Sequence, residues 1–155
     1  MQEDKVAFIR DQLCVLLRGL DPVAKPLWGK MNVQQMTEHL TDFFKVSTGE
    51  NKFELVIPEE DLPKYKAFLL SDKQFRENTK APSSVLGEEP LPVRTASMAA
   101  ALTQLEASIN DFFQCLKNDR ERKTVHPVFG PLNYEEWIQL HYKHVTHHCR
   151  QFGIV

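Results

Sequence analysis

Two short segments of this chain carry the same helix-start signature, and together they fix where two long helices begin. In MNVQQM, Asn32 can cap a helix with Gln35 completing the box three residues on, and Met31 and Met36 take the staple positions around the cap. In LNYEEW, Asn133 and Glu136 form a second box, flanked by Leu132 and Trp137. Val33, Met36, Leu40 and Phe43 mark the apolar side of a helix over 33–46, and the second box opens a helix over 134–151 that stops before Gly153. Two further stripes stand beside these. Val6, Ile9, Leu13, Leu16, Leu17 and Leu20 recur at helical spacing over 4–18, and Met98, Leu102, Leu105, Ile109, Phe112 and Leu116 do so from Ala96 to about Lys117. Four amphipathic helices bury their stripes against one another, which predicts an all-α four-helix bundle; sheet-rich alternatives lack candidate strands. At 155 residues and 42% hydrophobic content, the expectation is a single domain, 1–155, around one core.

Residues 49–95 break the pattern. Five of the nine prolines fall here, at 58, 63, 82, 90 and 92, so the segment is expected to be a long proline-rich crossover between the second and third main helices, with no fifth bundle helix. FELVI at 53–57 reads as a short strand and YKAFLL at 65–70 as one or two helical turns, with coil elsewhere. Phe68, Leu69, Leu70, Phe75, Val85 and Leu86 are too apolar for a free linker, which predicts a cover packed on the bundle and over part of any cavity there.

Composition removes several function classes. Nineteen basic against 21 acidic residues give a formal charge of -2, with no polybasic face, so no nucleic-acid partner is expected. No Gly-rich dinucleotide fingerprint is present. The first residues, MQEDKVAFIRDQ, read as the start of an amphipathic helix and not as a signal peptide, and no run approaches the roughly 20 apolar residues of a membrane span. Cys14, Cys115 and Cys149 are odd in number and far apart, which fits a reducing compartment, and the cytoplasm is expected.

Chemistry concentrates in the histidines. Four of the six lie within LHYKHVTHHCRQFG at 140–153. With His144 at 0° on a helical wheel, Trp137 falls near about +20°, His148 near +40°, His141 near +60° and His147 near -60°. His144 and His148 are one turn apart on one face, the spacing by which an H-x-x-x-H pair holds one divalent ion. His39, at the edge of the apolar arc of the second helix, provides a third imidazole, and three imidazoles leave a coordination position for water or substrate. Each of these histidines taken singly also reads as a packed, hydrogen-bonded residue. His141 shares the ligand face a turn earlier, as an alternative ligand or a pocket residue. His147 either orients another group or lies on the surface. Asp42 either receives a ligand's second ring proton, serves as a base, or is simply solvated beside Glu38. His126 in VHPVFGP precedes a proline, so a structural turn is its expected role. The three thiols sit among apolar packing and carry no catalytic expectation.

The segments WGKMNVQQMTEHL at 28–40, FLLSDKQFRENTKAP at 68–82 and HPVFGPLNYEEWIQLHYKHVTHHCRQFG at 126–153 resemble the DinB-like superfamily of metal-binding four-helix bundles, and within it the branch of bacterial proteins catalogued as DUF1569. The resemblance covers most of the chain. It implies a divalent metal, nickel or zinc, held by a histidine of the second helix and a pair on the fourth: here His39, His144 and His148, with His147 as the first member of the double histidine whose second member binds. It further implies a homodimer paired through helices. Relatives include transferases and isomerases that use low-molecular-weight thiols such as mycothiol or bacillithiol, and metal-dependent hydrolases.

The expected function is therefore that of a metal-dependent enzyme acting on a small molecule, by thiol-dependent transfer or hydrolysis, with the metal activating water or a thiol. Trp28, Trp137, Phe43 or Phe129 would wall the cavity. Two rivals remain: a non-catalytic metal- or ligand-binding protein of the stress response, and a plain bundle whose histidines are packed polar residues.

Overall fold

The computed structural model describes residues 2–79 and 89–155. In chain order it contains α1 (Gln2–Ala7), a π-helical turn (Phe8–Gln12), α2 (Leu13–Arg18), α3 (Val33–Thr48), a 3-10 turn (Glu59–Asp61), α4 (Leu62–Leu70), α5 (Met98–Leu116), β1 (Thr124–His126), β2 (Gly130–Leu132) and α6 (Tyr134–Gln151). The architecture is mostly helical, as the stripes require, and no helix among the described residues is long and apolar enough to cross a membrane.

The two capping boxes form as read. Asn32 accepts from the Gln35 amide at 2.7 Å and Gln35 returns its side-chain oxygen to the Asn32 amide at 2.9 Å. Asn133 and Glu136 exchange the same two bonds at 3.0 Å each. Each box satisfies two amides that the first helical turn leaves unpaired, at about 1 kcal/mol for the capping side chain alone. Gly49, at φ 85°, ends α3 in the left-handed region. Ser97 caps α5 by accepting from the Ala100 amide at 3.1 Å.

Packing follows the stripes. α3 lies along α5, α1 lies against α6, and α2 leans on α5. Leu40, Phe44, Leu105, Phe112, Trp137 and Leu140 are essentially inaccessible to water between them, each worth roughly 1.5–3 kcal/mol of transfer free energy on the aliphatic and Phe scale. The π turn joins α1 to α2 without breaking the rod. Ile9, Leu13 and Leu17 follow one another at spacings of four, all buried, and the wider turn absorbs the drift that such spacing produces in a regular helix.

Three local expectations need correction. FELVI is not a strand. Phe53, Leu55 and Ile57 alternate inward as an extended chain does, but the neighbouring segment offers one bond only, from the Val56 amide to the Pro127 carbonyl at 2.8 Å. Pro127 has no amide hydrogen to return, so no ladder develops. The strands lie instead in the segment read as a turn, where β1 and β2 pair antiparallel with Thr124 opposite Leu132 and His126 opposite Gly130. Their three-residue length, and Pro131 inside the second of them, hide them from a periodicity test. The 65–70 turn is the nine-residue α4, which packs on α6 with Leu69 buried, whereas Leu70 faces water. Phe68 and Phe75 pack partly against the core; Pro82, Val85 and Leu86 lie outside the described residues.

Candidate metal centre

α3 and α6 bring three imidazoles to one point. His39 Nε2 lies 3.0 Å from His144 Nε2, and His148 Nε2 lies 3.1 Å from the same atom. The three ring planes stand at 72°, 77° and 85° to one another, so the nitrogens converge edge-on and do not stack. Two nitrogens about 2.1 Å from one ion, at angles of roughly 90–110°, lie about 3.0–3.4 Å apart. The residues therefore fit a bound metal, and the three ligand atoms all fall within 4.8 Å of one another.

The protonation state fits as well. The Nδ1 of His148 faces Gln151 Oε1 at 2.7 Å, while Gln151 Nε2 donates to the Trp28 carbonyl at 2.9 Å. A carbonyl accepts only, so the Gln151 amide can point one way, and its oxygen must accept from His148 Nδ1–H. His148 Nε2 is then a bare lone pair directed at the other two rings. A hydrogen bond of this kind, from the outer ring nitrogen, is what orients metal-bound histidines. Gly29 makes room for it: its φ is 80°, and a Cβ there would sit 2.8 Å from Gln151 Nε2. Burial lowers the pKa of His39 to about 4, with Asp42 opposing and His147 adding to the fall, and holds His144 and His148 well below the ordinary value. All three are neutral at pH 7 and present lone pairs without competition from protons. His144 and His148 are buried and His39 is half-buried, so access is from the His39 side.

Around the trio, the remaining candidates sort into distinct roles. Phe43 stacks on the His144 ring at 3.9 Å between centroids and meets His39 edge-on at 6.5 Å, so it walls the site. Trp28 lies against His147, whereas Trp137 and Phe129 belong to the layer beneath, Trp137 donating its indole N–H to Thr124 Oγ1 at 2.8 Å. His141 does not join the trio. Its Nε2 donates to Ser47 Oγ at 2.9 Å, because the Ser47 hydroxyl is already given to the Phe44 carbonyl, and its ring stacks on Phe44 at 3.9 Å. His147 is buried, not a surface residue; it sits between Trp28 and Phe75. His126 is the expected turn residue: its Nδ1 accepts from the Val128 and Phe129 amides at 3.0 and 3.2 Å.

Asp42 supports no ligand histidine through a hydrogen bond. Arg94 grips it at 2.7 and 3.2 Å. Glu38, nearly buried, accepts from the Arg94 and Thr95 amides at 3.0 Å each and from the Thr95 hydroxyl. Burial pushes Glu38 up, but those bonds and the Arg94 charge outweigh it and leave the carboxyl below its ordinary value. The 94–95 segment is thus clasped to α3 beside His39. Burial raises the Cys14 thiol and pushes Cys149 up to about 12, so neither is a ready thiolate. Sequence reasoning missed Gln151, although a signal existed. It lies three residues past His148 and near about -20° on the same wheel, a polar residue in the middle of the ligand face.

The model of the DinB superfamily matches residues 10–152. The chain belongs to the DinB superfamily. The match spans all three histidines and every helix from α2 to α6. Among curated proteins and solved structures, none matches the chain. Within the DinB superfamily, metal binding is the property most directly related to this His39, His144 and His148 group, the one metal-competent cluster among the described residues.

Proposed function

We propose that this DinB-superfamily protein is a metal-dependent enzyme for a small molecule, with His39, His144 and His148 as the ligands of one divalent ion, nickel or zinc. The observation that carries the reading is the convergence of three neutral imidazole nitrogens, one of them fixed as an acceptor by Gln151. A divalent ion there supplies a Lewis-acid position that lowers the pKa of a bound water or low-molecular-weight thiol. The chain's own part is to hold three lone pairs ready, to keep water from the His144 ring with Phe43, and to leave approach from the side of His39. The Glu38–Thr95 and Asp42–Arg94 contacts bring the segment before α5 to the shoulder of that opening, which supports a role for it as a partial cover. The three motifs quoted above support the DUF1569 branch.

Protein purified without an affinity tag should carry close to one transition metal per chain. Loaded protein should then turn over one member of a screen pairing low-molecular-weight thiols with electrophiles, alongside hydrolysable esters and amides. Stoichiometric metal without turnover of any of these favours a binding protein over an enzyme. Failure to take up zinc or nickel at all removes both readings and leaves a bundle with packed histidines.

A further inference from the structure

A second feature lies away from the histidine trio, across α6. A hollow of about 320 Å³ opens between α1, the π turn, α6 and residues 71–74. Its walls include the rings of Phe8 and Tyr142, which meet edge to face at 5.7 Å. Lys5, Lys73, Lys143 and Arg150 line it, against one acidic side chain, Asp72.

Two of these cations lack counter-charge in an unusual way. Lys143 is 7% exposed, and its ammonium donates to the backbone carbonyls of Ser71, at 2.6 Å, and Lys73. The ammonium also lies over the Phe68 ring, 4.9 Å from its centroid, and among the described residues Lys143 makes no ion pair. Burial lowers its pKa, with Lys5 adding to the fall and Asp72 opposing it. Arg150 Nη2 is buried with no hydrogen-bond partner, and the guanidinium makes no ion pair among the described residues. Neither cation is balanced by a carboxylate and Arg150 Nη2 has no hydrogen-bond partner, so the hollow keeps a net positive charge that a bound anion would offset. Lys143 and Arg150 are seven residues apart, so both rise from the same side of α6.

We propose that this hollow binds a small organic carboxylate, anchored by Lys143 and Arg150, with its apolar body against Phe8 and Tyr142. The volume lies at the lower end of ligand sites, which run from roughly 300 to 1,000 Å³, and so suits a molecule of one or two rings or a short chain. The aromatic walls favour an apolar body over a bare polyanion. The wheel separates this side of α6 from the face of His144 and His148, so occupancy does not require the metal.

The test is a titration of the full-length chain with 2-naphthoate and its neutral analogue 2-naphthamide, followed by amide chemical shifts and calorimetry. Naphthoate should bind saturably and shift amides at residues 71–74 and 142–150, with 2-naphthamide at least tenfold weaker. Arg150→Gln and Lys5→Gln should each weaken naphthoate at least threefold while the variants remain folded by circular dichroism. Lys143→Met should weaken it tenfold where it folds. Equal binding of the amide, unchanged binding in Arg150→Gln, or full competition by inorganic phosphate overturns the proposal. So does a shift pattern centred on His39.

Discussion

Replacing Gln151 with Leu isolates the support behind one ligand from the ligand itself. Gln151 is 4% exposed, and its amide bridges His148 Nδ1 and the Trp28 carbonyl at 2.7 and 2.9 Å. Leu is close in volume and makes neither bond. The substitution leaves a buried ring N–H without an acceptor, at about 1–3 kcal/mol of stability. The freed imidazole can also carry its proton on Nε2, where it blocks the lone pair. Loss of the hydrogen-bond partner behind a ligand histidine costs about 10–100-fold in metal affinity, or roughly 1.4–2.8 kcal/mol. The assay is competition for zinc against a chromophoric chelator, with urea melts of the metal-free proteins run in parallel. Gln151→Glu is the control: it keeps an acceptor for His148 but cannot donate to the Trp28 carbonyl. It should retain zinc affinity within about threefold while losing stability. Equal loss of affinity in both variants would place the effect in the 27–29 backbone and refute the reasoning through the imidazole proton. Unchanged affinity in the Gln151→Leu variant would refute it outright.

The other expectations are simpler. Gly29→Ala adds a Cβ at 2.8 Å from Gln151 Nε2 in a backbone with φ 80°, so it should cost about 1–3 kcal/mol in denaturant melts and weaken zinc binding in the same direction as Gln151→Leu. His144→Ala should abolish stoichiometric metal, whereas His126→Ala should lower stability by about 1–3 kcal/mol, leaving two amides unpaired, with one metal per chain retained. Stability should be greatest above pH 6.5 and fall as the pH drops toward 4 and 3. Burial lowers His39 to about 4 and His126 to about 3, so the unfolded chain binds more protons than the folded one throughout that window. Each such group contributes up to about 1.4 kcal/mol per pH unit, and a denaturant midpoint that stays constant from pH 7 to 5 would contradict the burial of these rings as neutral groups.

The helices were legible because their ends are written locally. Asn32 with Gln35 and Asn133 with Glu136 name their own first turns, and each helix begins at the residue after its Asn. His39, His144 and His148 were legible for the same reason, since face and spacing follow once a helix is known. What escaped depends on neighbours in space. FELVI has the composition of a strand, yet Pro127 beside it lacks the amide hydrogen that a ladder needs. On the wheel His141 sits only about 20° from His148. Ser47 and the ring of Phe44, both from α3, take it into the core instead. The role of Gln151 became visible only when the Trp28 carbonyl, 123 residues earlier in the chain, fixed which way its amide points.

The π turn at Phe8–Gln12 gives the first rod two phases. Before it, α1 addresses α6; after it, α2 addresses α5. One continuous α-helix would keep a single azimuth for its stripe. A deletion of one residue within the turn would restore regular winding and leave Leu13 and Leu17 nearly in phase, whereas one residue added after the turn would swing them by about 100°, out of the core they now fill. The first rod is therefore a key cut on two sides, and the chain's tolerance to length change there is set by angle and not by reach.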